Sequence, residues 1–92
     1  MNPFNVFQEL TNEEKVISEE IIELMELAGF KKIYVNRFSR LRRPEQPYMI
    51  NFIGGNCMYE TTFNSIQKVL KYARHQVVCQ YNHKMIAALD NA

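Results

Sequence analysis

The sequence predicts a single small α+β domain in which helices pack on one face of a three-stranded antiparallel sheet. Three observations lead to this fold class: a well-capped amphipathic helix, three strand-like runs after it, and further amphipathic segments toward the end. The chain has 92 residues and 47% hydrophobic content, which is enough for one core and too little for two. We expect one domain over residues 1–92, in the order α-β-β-β-α with a further C-terminal helix.

The first helix is predicted by its two ends and its apolar stripe. Thr11 followed three residues later by Glu14 is a capping box, in which each side chain satisfies a backbone amide of the other residue. Gly29 is suited to the left-handed conformation that commonly ends a helix. Between them, apolar residues recur at helical spacing: Leu10, Ile17, Ile21, Leu24, Met25 and Ala28.

The strand-like runs follow this helix. The run over 32–38 is rich in β-branched and aromatic residues, and a polar loop with two prolines separates it from the runs over 48–53 and 56–61. Gly54 and Gly55 lie between the last two runs, which predicts a two-residue hairpin turn. With that turn Phe52 would face Cys57. Strand alternation then assigns Tyr48, Ile50, Phe52, Cys57 and Tyr59 to the core face, and Met49, Asn51, Ile53, Met58 and Glu60 to the other.

The same glycines and Cys57 could instead indicate chemistry. A phosphate-binding loop needs spaced glycines between a strand and a helix, or a lysine directly after them, and neither pattern is present. Cys57 on an apolar face is typical of a small packed side chain, so we expect it to be poorly accessible. The glycines are therefore interpreted as structural, and no residue is assigned a catalytic role.

Two readings of the C-terminal part remain open. The segment TTFNSIQKVLKYARHQ predicts a second amphipathic helix whose stripe is Phe63, Ile66, Val69, Leu70 and Ala73. Residues 77–81 alternate like a strand, yet a helical stripe continues through residues 77–88 without Gly or Pro. We favour helix for this segment, either continuous with the second helix or separated from it by a break near residues 75–77.

A metal site is considered because His75, Cys79 and His83 are spaced four residues apart, with Cys57 as a fourth candidate. On a straight helix, however, the two histidines would lie about 12 Å apart along the axis, at about 1.5 Å per residue. One zinc ion with ligand distances of about 2.0–2.3 Å does not easily gather both. We therefore predict no metal and no cofactor, with exposed histidines and a packed cysteine.

Charge is strongly segregated along the chain. Residues 9–26 contain seven Glu and one Lys, and the exposed face predicted for these glutamates leaves no carboxylate tuned for acid–base catalysis. Residues 31–43 contain six basic residues and no acidic one. An arginine-rich loop of this kind can bind phosphates or the carboxylates of a protein partner. The sequence thus predicts a binding protein and not an enzyme.

The predicted order of elements, with a basic loop and a tight turn, resembles the double-stranded RNA-binding domain over roughly residues 12–74. That resemblance implies RNA contacts from the first helix, the loop after the first strand, and a basic cluster opening the second helix. Here the first helix is acidic and only Lys68 is basic in TTFNSIQK. Two of the three contact elements therefore depart from the family's pattern.

The partner-binding residues predicted from the sequence combine the basic loop with the outward sheet face. They are Arg37, Arg40, Arg42, Arg43, Tyr34, Phe38, Met49 and Met58. Exposed Met and aromatic clusters often mark interaction surfaces; the C-terminal helix or a second copy of the chain could equally cover them. We expect a protein partner, with nucleic-acid binding through residues 37–43 as the alternative and a homodimer also considered.

The small size, lack of motifs and segregated charge of the chain suggest its role. Compact, motif-poor, charge-segregated domains are common among phage and mobile-element proteins that inhibit host enzymes, so an inhibitory role is predicted by association.

The compartment is predicted from the start of the sequence, its apolar runs and its cysteines. The sequence begins without the basic region and apolar run of a secretory signal, and its longest apolar runs have about five residues, whereas a helix that spans a bilayer needs ~20. Two cysteines without a disulfide framework are typical of a reducing compartment. We therefore expect a cytoplasmic protein without a membrane partner.

Overall fold

The computed structural model describes residues 7–39 and 45–90, with side chains up to residue 82. It is an α+β fold with two helices and an antiparallel sheet of four strands in the order β1-β2-β3-β4. The elements are β1 (Phe7–Gln8), α1 (Asn12–Leu27), β2 (Lys31–Phe38), β3 (Tyr48–Gly54), β4 (Cys57–Phe63) and α2 (Ile66–Asp90). The three predicted strands are present as β2, β3 and β4, but a fourth strand was missed, and the further C-terminal helix is not separate from the second helix.

Both ends of α1 are as predicted. The Glu14 backbone N–H donates to Thr11 Oγ1 (3.2 Å), and the Thr11 N–H donates to Glu14 Oε1 (2.9 Å), so the capping box is formed. At the other end Gly29 has φ +97°, a conformation that glycine adopts without steric cost. The local signals at residues 11–14 and 29 therefore define this helix.

The additional strand, β1, is only two residues long. Phe7 pairs with Phe38, and Gln8 pairs with Arg37 at the outer edge of β2. Two residues cannot display the alternation by which a strand is recognised in a sequence. Its position depends on β2, a segment about thirty residues away in the chain.

The hairpin turn lies one residue later than predicted. Gly54 pairs with Cys57, leaving Gly55 and Asn56 as the turn, and only Gly55 has positive φ (+62°). Phe52 consequently pairs with Tyr59 instead of Cys57, a shift of two residues along β4. Because two residues is one full period of a strand, the predicted assignment of side chains to faces still holds.

The C-terminal residues belong to one helix, α2, which is 25 residues long. Its start is stabilised by Ser65, whose hydroxyl accepts the Lys68 backbone N–H (3.3 Å). Of the two alternatives for this segment, the continuous helix is the one found, and neither Gly nor Pro interrupts residues 66–90. Phe63, predicted within the helical stripe, is instead the last residue of β4.

The core lies between the two helices and one face of the sheet. Ile21 and Met25 of α1, Val69 of α2 and Ile50 of β3 are fully buried there. The remaining buried members of the cluster are Ile33, Val35, Phe52, Ile66 and Ala73. We call the sheet face that takes part in this core the covered face. Neither described helix is long and apolar enough to cross a membrane.

Candidate interaction surface

The opposite side of the sheet, here called the outer face, carries the most exposed large side chains of the strands. Both helices contribute to the core on the covered face, and no helix of the described residues packs on the outer face. Two cross-strand rows at one end of this face form what we call the open patch. The rows are Lys31–Ile53–Met58 and Tyr34–Asn51–Glu60.

The open patch has two apolar and two charged side chains at its four corners. Met58 is 82% exposed and Tyr34 is 58% exposed, while Ile53 and Asn51, on the central strand, are half-buried. Lys31 and Glu60 are exposed at the other two corners. Exposed Met and aromatic side chains often mark interaction surfaces. The structure thus places two of the predicted partner-binding residues, Tyr34 and Met58, on one surface.

Asn51 lies in the middle of one row and carries an unsatisfied polar atom. Its Oδ1 is buried and has no hydrogen-bond partner among the described residues. Buried carbonyl oxygens are almost always paired in folded proteins, and an unpaired one costs roughly 1–3 kcal/mol. Sequence alternation predicted the side on which Asn51 lies but not its lack of a partner.

The other end of the outer face is buried. Phe38 and Met49, both predicted to contact a partner, are 8% and 6% exposed. The Phe38 ring lies 5.4 Å from the ring of Phe7 (centroid to centroid). This end of the face therefore contributes apolar burial to the fold, whereas the open patch does not.

Arg37, the fifth predicted residue within the described range, lies on the covered face. Its Nη1 is 3.3 Å from Glu14 Oε1, and its guanidinium lies 5.4 Å from the centre of the Tyr48 ring. The Tyr48 hydroxyl donates a hydrogen bond to Glu14 Oε2. Arg37 and Tyr48 are cross-strand neighbours, so one carboxylate joins the start of α1 to both β2 and β3. We call Glu14, Arg37 and Tyr48 the Glu14 cluster; its contacts connect α1 to the sheet.

The electrostatics of this cluster favour an ionised Glu14 and a neutral Tyr48. Burial raises the pKa of Glu14, but hydrogen bonds from Thr11 and Tyr48 and the charge of Arg37 outweigh it, so the pKa is lowered overall. Burial raises the pKa of Tyr48, and so do its hydrogen bond to Glu14 and the negative charge of the Glu14 carboxylate. The sequence predicted Glu14 only as part of the capping box of α1. Its partners are 23 and 34 residues away, and no local signal connects them.

The remaining predicted residues, Arg40, Arg42 and Arg43, lie outside the described residues. Their role in binding stays a prediction. Within the described part of the basic segment, Lys31 belongs to the open patch, and Lys32, the next residue in the chain, is also exposed. Lys32 has φ +50° and lies in a bulge of β2 between Lys31 and Tyr34. This bulge brings both Lys31 and Tyr34 to the outer face.

The two cysteines are both exposed, contrary to the predictions of a poorly accessible Cys57 and a packed Cys79. Cys57 is exposed because the observed register places it beside the turn, opposite Gly54, which has no side chain to cover it. Cys79 Sγ lies 3.3 Å from His75 Nε2 on the surface of α2. Over the side chains that the structure describes, which exclude His83, no group of three or more metal-ligating residues occurs.

The chain matches no protein-family model, and its comparison with curated proteins and with solved structures likewise produces no match. The candidate surface is therefore defined by its geometry alone. The described residues form an α+β fold with an antiparallel sheet, whose outer face is exposed at the open patch and buried at Phe38 and Met49.

Proposed function

We propose that this protein is a non-enzymatic interaction module that binds a protein partner through the open patch. The observation that carries this proposal is the exposure of Met58 and Tyr34 on a sheet face that no helix of the described residues covers. Exposed apolar side chains lose unfavourable contact with water when a partner covers them.

The carboxylates support binding over catalysis. Glu14, the one buried acidic side chain among the described residues, is committed to its cap and to Arg37 and Tyr48. The other glutamates of α1 are exposed to water, whereas carboxylates that act in acid–base catalysis usually lie in a cleft. Inhibition of the partner and an origin in a phage or mobile element stay predictions.

The test is affinity purification of the tagged chain from its native cells, with and without nuclease. The patch variant is Tyr34→Ala/Met58→Ala, and the matched control is Val16→Ala/Leu27→Ala, which removes two apolar side chains of similar exposure from α1 (67% and 70%). We expect a partner protein that survives nuclease, is lost with the patch variant and is retained with the control.

Two outcomes contradict the proposal. A partner bound equally well by the patch variant would show that the open patch is ordinary surface. Binding that disappears on nuclease treatment would favour the nucleic-acid alternative, and its affinity should then fall steeply and linearly on a plot of log K against log salt. A protein partner held by apolar contacts should keep part of its affinity at high salt.

A further inference from the structure

The outer edge of β4 is a regular and uncovered strand edge. All seven residues from Cys57 to Phe63 pair with β3 without a register shift, and no described strand pairs with the other side of β4. The segment CMYETTF is rich in β-branched and aromatic residues and contains no Pro or Lys. Such an edge presents a row of backbone donors and acceptors that can pair with another strand.

The opposite edge of the sheet is protected by contrast. β2 contains a bulge between Lys31 and Tyr34, carries two exposed lysines there, and is paired by β1 at Arg37 and Phe38. Bulges, edge lysines and short covering strands are the devices that prevent strand edges from associating. The chain has them on β2 and lacks them on β4.

We propose that β4 pairs antiparallel with β4 of a second copy of this chain. The two-fold axis passes between the two copies at Thr61, so that Thr61 lies opposite Thr61. Antiparallel pairing of identical strands requires an axis perpendicular to the sheet, so the helices of both copies lie on the same side. The product is a continuous eight-stranded sheet whose outer faces join. This inference does not depend on the proposed binding at the open patch.

The register follows from the single charge on β4. An axis through Glu60 would place two like charges directly opposite each other, which destabilises a strand pair. An axis through Thr61 places Glu60 opposite Thr62 of the second copy, whose hydroxyl donates to Gln46 Oε1 (2.7 Å). An axis through Tyr59 would instead set the apolar Met58 against Glu60.

The aromatic side chains of the covered face favour the same register. With the axis at Thr61, Tyr59 lies opposite Phe63 of the second copy, and this pair occurs twice. Tyr59 is 48% exposed although its ring stacks on Phe52, 5.3 Å away. The half-buried Phe63 ring lies 5.4 Å from that of Tyr72. Pairing would thus extend an existing aromatic cluster across the axis and remove Tyr59 from water.

The first test is the oligomeric state of the purified chain by sedimentation equilibrium over a range of concentrations. We expect a dimer that Thr61→Lys converts to a monomer, because this change places two lysines together at the axis. The matched control is Tyr34→Lys, which adds the same charge to the open patch and should leave the dimer intact. A parent chain that remains monomeric at every concentration overturns the proposal.

Cross-linking tests the register and does not depend on the folding of the lysine variant. In a Cys57→Ser/Cys79→Ser background, Thr61→Cys should give a covalent dimer with an added oxidant, since opposed Cα atoms lie about 4.5–5.5 Å apart, within disulfide range. Glu60→Cys should react far less, because its nearest equivalent is diagonal at roughly 7–8 Å. Equal or greater cross-linking through Glu60→Cys would refute the axis at Thr61.

The two proposals fail separately. Tyr34→Lys should abolish partner binding and retain the dimer, whereas Thr61→Lys should abolish the dimer. A dimer without any patch-dependent partner would leave the inference standing and contradict the proposed function.

Discussion

The two faces of the sheet are built by the same strands but are covered differently. On the covered face Ile50 is 0% exposed and Phe52 is 4% exposed, whereas on the outer face Met58 is 82% exposed. Because neighbouring residues of a strand point to opposite sides, a single step along the chain separates a core position from a surface position. Stability should therefore depend on the covered face and on the buried end of the outer face at Phe38 and Met49, whereas the open patch is the surface proposed for recognition.

The largest effect is expected from shortening matched isoleucines on the two faces. Ile50→Ala should lower the free energy of unfolding by about 2–5 kcal/mol, because it leaves a cavity in a fully buried site. Ile53→Ala should lower the free energy of unfolding clearly less, because Ile53 is half-buried on the outer face of the same strand. Urea denaturation of both variants measures the difference. Equal costs would show that the outer face is also core.

The next effect concerns the cluster that joins α1 to the covered face. Glu14→Gln keeps the shape of the side chain but removes the charge that Arg37 and Tyr48 contact. We expect the free energy of unfolding to fall by about 1.5–3 kcal/mol at neutral pH, the range for hydrogen bonds to charged groups. Glu13→Gln, also in the first turn but exposed, is the control and should change little. Similar losses for both would attribute the effect to the helix dipole alone.

The same carboxylate gives the protein a defined pH dependence. The pKa of Glu14 in the folded state is below its ordinary value of 4.5. The ionised carboxylate should therefore make its full contribution to the free energy of unfolding above pH 4.5. That contribution should be lost as the pH falls through the folded-state pKa. The stability difference between parent and Glu14→Gln should shrink over this acid range. A difference that stays constant between neutral and acid pH would contradict the ion pair.

The two adjacent glycines of the hairpin, Gly54 at the end of β3 and Gly55 in the turn, should respond differently to substitution. A Cβ on Gly54 would lie 2.8 Å from two atoms of the Phe30 ring and 3.2 Å from Tyr59, so Gly54→Ala should cost about 1–3 kcal/mol through overpacking. A Cβ on Gly55 meets nothing within 4 Å, and Gly55→Ala should cost about 1–2 kcal/mol from its positive φ alone. Adding Phe30→Leu should rescue only the Gly54 variant. Thermal unfolding of the four proteins tests this.

The smallest effect on stability is expected at the open patch. Met58→Ser should change the free energy of unfolding by less than about 0.5 kcal/mol, because the side chain is already in water. The same change should weaken partner binding if the patch is the interface. A large loss of stability in urea denaturation would place Met58 in a packed site and remove it from the candidate surface.

Local sequence determined the parts of this protein that depend on near neighbours. The capping box at Thr11, the end of α1 at Gly29 and the alternation of β3 and β4 could all be predicted. The faces of β4 were assigned correctly although its register was wrong, because a shift by two residues preserves alternation. The open patch was predicted in part, through Tyr34 and Met58.

Tertiary structure decided the rest, because those features depend on residues distant in the chain. The short β1 forms only against β2, and Glu14 finds Arg37 and Tyr48 only when α1 packs on the sheet. The burial of Phe38 and Met49 likewise depends on what lies over one end of the outer face. Periodicity in the sequence assigns a side chain to a face, but the packing of other elements decides whether that face is core or surface.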